Sequence, residues 1–123
     1  MKSIESEEYL KLEQQCINIK EVLKMDQKKA WNMIIDLLYH YPHDPQPQNL
    51  LGIYAERNGD ILLAMKHYRA GWDLSPWYRP TRLNMERIGD GVQHLRPCYY
   101  CDEDVEEYQT QEKQKILRRK EKC

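Results

Sequence analysis

The sequence is poor in the residues that make tight turns, with five glycines and six prolines among its 123 residues. This scarcity argues against a β-sandwich, whose many short strands are joined by frequent turns. Long apolar runs are also missing, because the longest strongly apolar run, residues 61–65, is far shorter than the roughly 20 residues of a membrane-spanning helix. The N-terminus has no apolar stretch typical of a secretory signal. We therefore expect a cytoplasmic protein with no membrane partner.

The sequence also lacks an excess of either charge, since 19 basic and 20 acidic residues leave a net charge of -1. This balance excludes a simple polycation that binds nucleic acid or anionic lipid by bulk charge. Hydrophobic residues make up 41% and charged residues 32% of the chain, which is too apolar for a disordered protein. The length is typical of one domain.

Apolar residues recur at helical spacing, and no alternation typical of strands persists before residue 95. In a predicted first helix over 4–24, the apolar face consists of Tyr9, Leu12, Cys16, Ile19 and Leu23. Further helices are predicted over 27–41, 47–58, 61–74 and 79–88. Asp26 and Asp60 are placed as N-caps, and Gly59 is placed at the left-handed end of a helix.

Residues 92–123 differ from residues 1–91 and form a second region, a linker with cysteines followed by a charged helix or tail. Residues 102–107 are rich in acidic side chains, and residues 113–122 are rich in basic ones. This order complements a helix dipole and predicts a sixth helix over 102–122. Its apolar seam is thin, so we expect it to pack weakly on residues 1–91.

An offset of 34 residues superposes the helix caps and breaks of two segments of the chain. Asp26 then matches Asp60, Ala30 matches Ala64, and Pro42 matches Pro76. The clearest single unit spans residues 45–78 and contains the pair Leu51-Gly52, followed by Ala64, Tyr68 and Pro76. These residues resemble the tetratricopeptide repeat, and the resemblance covers about residues 8–90. A first unit fits after its first helix is shifted by two residues, and the third unit is half a repeat.

The resemblance implies an all-α fold of antiparallel helical hairpins, stacked as a short right-handed solenoid over residues 1–91. Tetratricopeptide arrays generally bind other proteins in a concave groove lined by the first helix of each pair. The side chains expected in this groove are Glu13, Ile17, Lys20 and Glu21 on the first helix, Asn49, Ile53, Glu56 and Arg57 on the third, and Leu83 and Arg87 on the fifth.

The mixture of apolar, amide and charged groups in this set suits an extended peptide or a partner helix. We therefore expect a non-catalytic adaptor, in which Asn49 hydrogen-bonds to the main chain of the bound segment. Some family members bind an acidic C-terminal peptide with a basic clamp, but Glu13 and Ile17 stand at the corresponding places of the first repeat. The resemblance therefore does not imply that clamp.

Self-association is an alternative, because solenoids generally need about three repeats and this chain has two and a half. Trp72, Trp77 and Tyr78 are candidate contacts in a homodimer.

The sequence contains no nucleophile elbow, phosphate-binding loop or paired-carboxylate pattern. No enzymatic activity, cofactor or small-molecule substrate is therefore predicted. His94, Cys98 and Cys101 could supply three zinc ligands, with Cys123 as a distant fourth. Because a second Cys-x-x-Cys pair is missing, reduced thiols are the favoured interpretation, and a thiol- or zinc-dependent regulatory protein stays open as a third alternative.

Overall fold

In a computed structural model, which describes the backbone of residues 2–122 and the side chains of residues 7–120, the chain folds into helices with no strand in that range. Cys123 lies outside the described residues. In chain order the helices are α1 (Lys2–Leu23), α2 (Gln27–His40), α3 (Pro45–Arg57), α4 (Ile61–Leu74), α5 (Arg79–Gly89) and α6 (Asp102–Lys122). The all-α prediction is confirmed.

The predicted caps set the helix boundaries. Asp26 accepts a hydrogen bond from the Lys29 N–H at 3.0 Å, and Asp60 accepts one from the Leu63 N–H at 3.1 Å. Gly59 has a φ of 81°, which confirms the predicted left-handed helix end. Helix α3 begins at Pro45, two residues before the predicted start, because proline is well tolerated in the first helical turn, where its N–H would have no partner.

Neighbouring helices pack against each other in sequence order, so that α1 contacts α2, α2 contacts α3, α3 contacts α4, and α4 contacts α5. The alternate helices α1 and α3, and likewise α3 and α5, also contact each other. These three helices therefore share one side of the molecule, which we call the first-helix face.

The core follows the apolar stripes of the sequence. On α1 the side chains of Leu12, Cys16, Ile19 and Leu23 are buried, as predicted. Helices α3 and α4 approach closely at Gly52, where an added Cβ would overlap the ring of Tyr68. A larger residue at position 52 therefore cannot be accommodated without moving the buried Tyr68 ring.

Helix α6 contacts α5, and among its described side chains the buried and half-buried ones lie between residues 102 and 112. Val105 is buried and Tyr108 is half-buried, whereas Ile116 and Leu117 are exposed. Among the helices of residues 2–122, none has both the length and the apolar character required to cross a bilayer.

Candidate functional site

One polar side chain on each helix of the first-helix face hydrogen-bonds to the main chain of the segment around the start of α6. Asn49 on α3 donates to the Tyr99 carbonyl at 2.9 Å. Asn84 on α5 donates to the same carbonyl at 2.9 Å and accepts the Tyr99 N–H at 3.0 Å. Glu13 on α1 accepts the Asp102 N–H through Oε1 at 2.8 Å. The three helices together therefore bind a polypeptide backbone, here the chain's own.

The two asparagines are fully buried and also contact each other, since Asn84 Nδ2 donates to Asn49 Oδ1 at 2.9 Å. Buried amides are costly unless their donors and acceptors are paired. Without the Tyr99 main chain, Asn49 and Asn84 would lose three of these four hydrogen bonds. The Tyr99 main chain therefore supplies most of the hydrogen bonds of this buried pair, and Arg87 adds one to Asn84 Oδ1 at 3.3 Å.

Asn84 is a site residue that the sequence analysis missed. The residue 34 positions after Asn49 is Leu83. Leu83 was predicted to line the groove at the level of Asn49, and in the structure it is half-buried. The actual separation of Asn49 and Asn84 is 35 residues, so a third unit shifted by one residue would have identified the second amide.

Glu13 is the centre of a buried polar group that we call the Glu13 cluster, formed with Gln46, Tyr78 and Asp102. Through Oε2 it accepts the Tyr78 hydroxyl at 2.6 Å and the Gln46 amide at 3.1 Å. No described cation pairs with this carboxylate. Burial raises the pKa of Glu13, and the hydrogen bonds from Tyr78, the Asp102 backbone and Gln46 oppose this rise only in part.

Tyr78 donates into the Glu13 cluster and has no exposed surface. Its predicted place in a contact between two copies of the chain is therefore wrong. Trp72 and Trp77 are exposed, at 40% and 68% of their surface respectively.

Glu56 is the centre of a second group, the Glu56 cluster, formed with Tyr68, Arg87 and Cys98. Its two carboxylate oxygens accept the Arg87 guanidinium at 2.6 and 2.9 Å, and Oε1 also accepts the Tyr68 hydroxyl at 2.8 Å. The Cys98 thiol lies 3.6 Å from Glu56 and 3.2 Å from the guanidinium. Arg87 is 2% exposed, so its charge is directed into the chain and not toward solvent.

Two cations flank the acidic start of α6. Lys20 on α1 pairs with Asp104 at 2.7 Å, and its ammonium group lies over the Tyr100 ring at 5.5 Å from the centroid. Arg79 at the start of α5 pairs with Glu106 at 2.7 Å and with Asp102 at 3.3 Å. These ion pairs are partly exposed. They connect α1 and α5, which both belong to the first-helix face, to the first two turns of α6.

The remaining residues predicted for the groove are divided between the core and the surface. Ile53 is fully buried, and Ile17 is half-buried against the core. Arg57 is exposed and donates to the Leu23 carbonyl at 3.3 Å. Glu21 is exposed and pairs with Lys24. Most of the predicted side chains do converge on one face, but this face is covered by the chain's own residues and is not an open groove.

The candidate zinc residues do not form a common site in the structure. Cys101 is buried in the core, Cys98 belongs to the Glu56 cluster, and His94 is exposed. Within the described residues, no group of three or more His, Cys, Asp or Glu side chains is arranged to hold a metal ion. Burial raises the pKa of Cys98 and of Cys101 to about 12, so both thiols are protonated at neutral pH.

Comparisons of this chain with protein-family models, curated proteins and solved structures give no match.

Proposed function

We propose that this chain is a non-catalytic protein–protein interaction module that binds a polypeptide segment across its first-helix face. The observation that carries the proposal is the main-chain binding by Glu13, Asn49 and Asn84, one residue from each of three packed helices. Hydrogen bonds to a backbone are available from any polypeptide, so such a face is suited to peptide recognition.

The same proposal includes a tetratricopeptide-like arrangement, in which α1–α2 and α3–α4 are stacked hairpins and α5 is half of a third. Support comes from the contacts of α1 with α3 and of α3 with α5, and from the close approach of Gly52 to Tyr68. The first is expected if the first helices of successive repeats are neighbours, and the second is expected if the two helices of one hairpin cross closely.

Binding without catalysis is favoured by the hydrogen bonds of the two carboxylates, Glu13 and Glu56. Glu13 is surrounded by donors of the same chain, and Glu56 is paired with Arg87 in a bidentate contact. A general acid or base must reach a substrate proton, whereas these groups are hydrogen-bonded to other elements of the same chain.

The proposal is tested by affinity capture from the native host, with quantitative mass spectrometry, of the full chain and of the double variant Asn49→Ala/Asn84→Ala. We expect the double variant to lose the partners of the wild-type chain, because both amides that bind a main chain are gone. Asn18→Ala is the matched control, since Asn18 is exposed on α1 and accepts a hydrogen bond only from Gln14 of the same helix.

Circular dichroism of all three proteins is needed to compare their helix content. If the folded double variant captures the same proteins as the wild type and Asn18→Ala, the first-helix face is not the binding surface.

A further inference from the structure

Residues 98–106, which we call the tail segment, have internal contacts that define their own shape. The Tyr100 N–H donates to Asp104 Oδ2 at 2.8 Å, and the Asp104 N–H donates to the Cys101 carbonyl at 3.1 Å. The Tyr99 ring packs edge-on against Tyr108 at 5.8 Å between centroids. The tail segment therefore keeps much of its geometry through contacts that do not involve the first-helix face.

The linker between α5 and the tail segment is in contact with solvent. Residues 94–97 are all exposed, and Leu95 has 81% of its surface accessible. Gly91, with a φ of 71°, marks the point where the chain leaves α5. Because these residues are exposed, the tail segment is held mainly by its own contacts with the face.

Cys101 of the tail segment lies in the hydrophobic core and Val105 is fully buried, and the polar contacts of the segment with the face are of two chemical kinds. Tyr99 and Asp102 are bound through their main chain, by Asn49, Asn84 and Glu13. The acidic side chains of the first turns of α6 are bound by Lys20 and Arg79. The first kind accepts any sequence, and the second requires acidic residues at the beginning of a helix, where they also interact favourably with the helix dipole.

We propose that the tail segment is an internal ligand, and that the partner of this face is a protein segment of the same chemistry which displaces it. This partner has a short non-helical stretch containing an aromatic residue, followed directly by a helix whose first turn is acidic. The inference rests on the proposed function and specifies the partner of that same site. A tethered ligand competes at a high effective concentration, so the partner binds with an apparent affinity below its intrinsic one.

The test uses the full chain and a fluorescent synthetic peptide of residues 95–112, with binding followed by anisotropy under reducing conditions. Asp104→Asn in the full chain weakens only the internal ligand, because the peptide keeps Asp104. Loss of one charge-assisted hydrogen bond corresponds to about tenfold, so we expect the peptide to bind this variant about tenfold more tightly than the wild type. Glu103→Gln removes the same charge at an exposed neighbouring position and should leave the affinity unchanged.

A charge reversal then tests the register of the bound peptide. In a full chain with Lys20→Glu, the new carboxylate repels the chain's own Asp104. The same carboxylate can form an ion pair with a peptide that carries Asp104→Lys. We expect this chain to prefer the Asp104→Lys peptide over the native peptide by about tenfold, and the wild-type chain to show the opposite preference. A peptide with Glu103→Lys keeps Asp104, so its preference relative to the Asp104→Lys peptide should follow that of the native peptide in both chains.

The proposal is overturned if folded Asp104→Asn and Lys20→Glu chains bind none of the peptides, because the tail segment is then a permanent part of the fold. It is also overturned if Glu103→Gln tightens binding as much as Asp104→Asn, since total charge would then explain the effect. The peptide experiment tests the chemistry of the partner, and the capture experiment with Asn49→Ala/Asn84→Ala tests the binding surface. A negative result in the first does not change the result of the second, so the two failures are distinguishable.

Discussion

Two carboxylates of the first-helix face, buried Glu13 and half-buried Glu56, are compensated in different ways. Glu56 has a guanidinium partner in Arg87, held by two hydrogen bonds of 2.6 and 2.9 Å. Glu13 has only uncharged donors, namely the Tyr78 hydroxyl, the Gln46 amide and the Asp102 N–H. The Glu56 cluster therefore carries a buried ion pair, whereas the Glu13 cluster carries an acid whose pKa is raised by burial.

Helices can thus be joined through a carboxylate either by an ion pair, as at Glu56, or by uncharged donors, as at Glu13. Removal of one partner from a buried ion pair leaves the other charge without compensation. A carboxyl group with neutral donors can bind a proton, or be replaced by an amide, at a smaller cost. The two clusters should therefore respond very differently to substitutions of similar size.

The largest effect is expected for Arg87→Met, which preserves much of the side-chain volume and removes the guanidinium. Glu56 would keep the Tyr68 hydroxyl as its main donor, and breaking a buried pair typically costs about 3–5 kcal/mol of unfolding free energy. Urea denaturation measures the loss. Arg82→Met is the control, because its partner Glu86 is exposed and such pairs contribute about 0–1 kcal/mol. Equal losses in the two variants would contradict the special role of the Glu56 cluster.

A smaller effect is expected for Gly52→Ala, which disturbs the same cluster by steric means. The added Cβ overlaps the Tyr68 ring and forces its hydroxyl away from Glu56, and overpacking of this kind costs about 1–3 kcal/mol. Thermal unfolding of Gly52→Ala and Gly89→Ala compares a crowded glycine with an open one, since a Cβ at Gly89 meets nothing within 4 Å. Unchanged stability in Gly52→Ala would mean that the ring has room to move.

The smallest effect is expected for Glu13→Gln, with a change in unfolding free energy below about 1 kcal/mol at pH 7. The new amide nitrogen can donate to Gln46 Oε1, a buried atom with no hydrogen-bond partner among the described residues, if the Gln46 amide turns over. The variant therefore replaces a buried acid by an amide, and the Tyr78 hydroxyl must then accept from the new nitrogen where it donated to the carboxylate.

Glu13→Gln should also change the pH dependence of stability. Because the pKa of Glu13 is raised in the folded chain from its ordinary 4.5, the folded state binds this proton more tightly than the unfolded state. Its contribution to stability is therefore present at low pH and declines as the pH rises from 4.5 through the raised pKa. Between pH 5 and pH 8, the urea midpoint of the wild type should therefore fall more, or rise less, than that of Glu13→Gln, in which this contribution is absent. Exposed Glu21→Gln should keep the wild-type profile, and a Glu13→Gln profile identical to it would refute the assignment.

The helix boundaries were predictable because their causes are local. Asp26 and Asp60 cap helices through the N–H groups three residues later, and a cap of this kind needs no information from elsewhere in the chain. The start of α3 was placed two residues too late, because the sequence analysis treated Pro45 as part of a turn although proline also fits the first position of a helix.

The candidate site was predictable only in part. Asn49 was assigned to bind a main chain, and it does bind the Tyr99 carbonyl, whereas the second amide, Asn84, was not found. That residues 98–106 cover this face was not predictable from the sequence. Helical periodicity identifies which side of a helix is apolar, but it does not identify which distant segment covers that side.

The sequence by itself determined the six helices, their caps and the buried stripes, since these follow from spacing within one or two turns. Only the tertiary structure decided that Glu13 is buried without a cation, that Arg87 is directed into the chain, and that residues 98–106 lie across the first-helix face. The physical reason is that these contacts join residues 15 to 89 positions apart, and their geometry depends on how the helices pack.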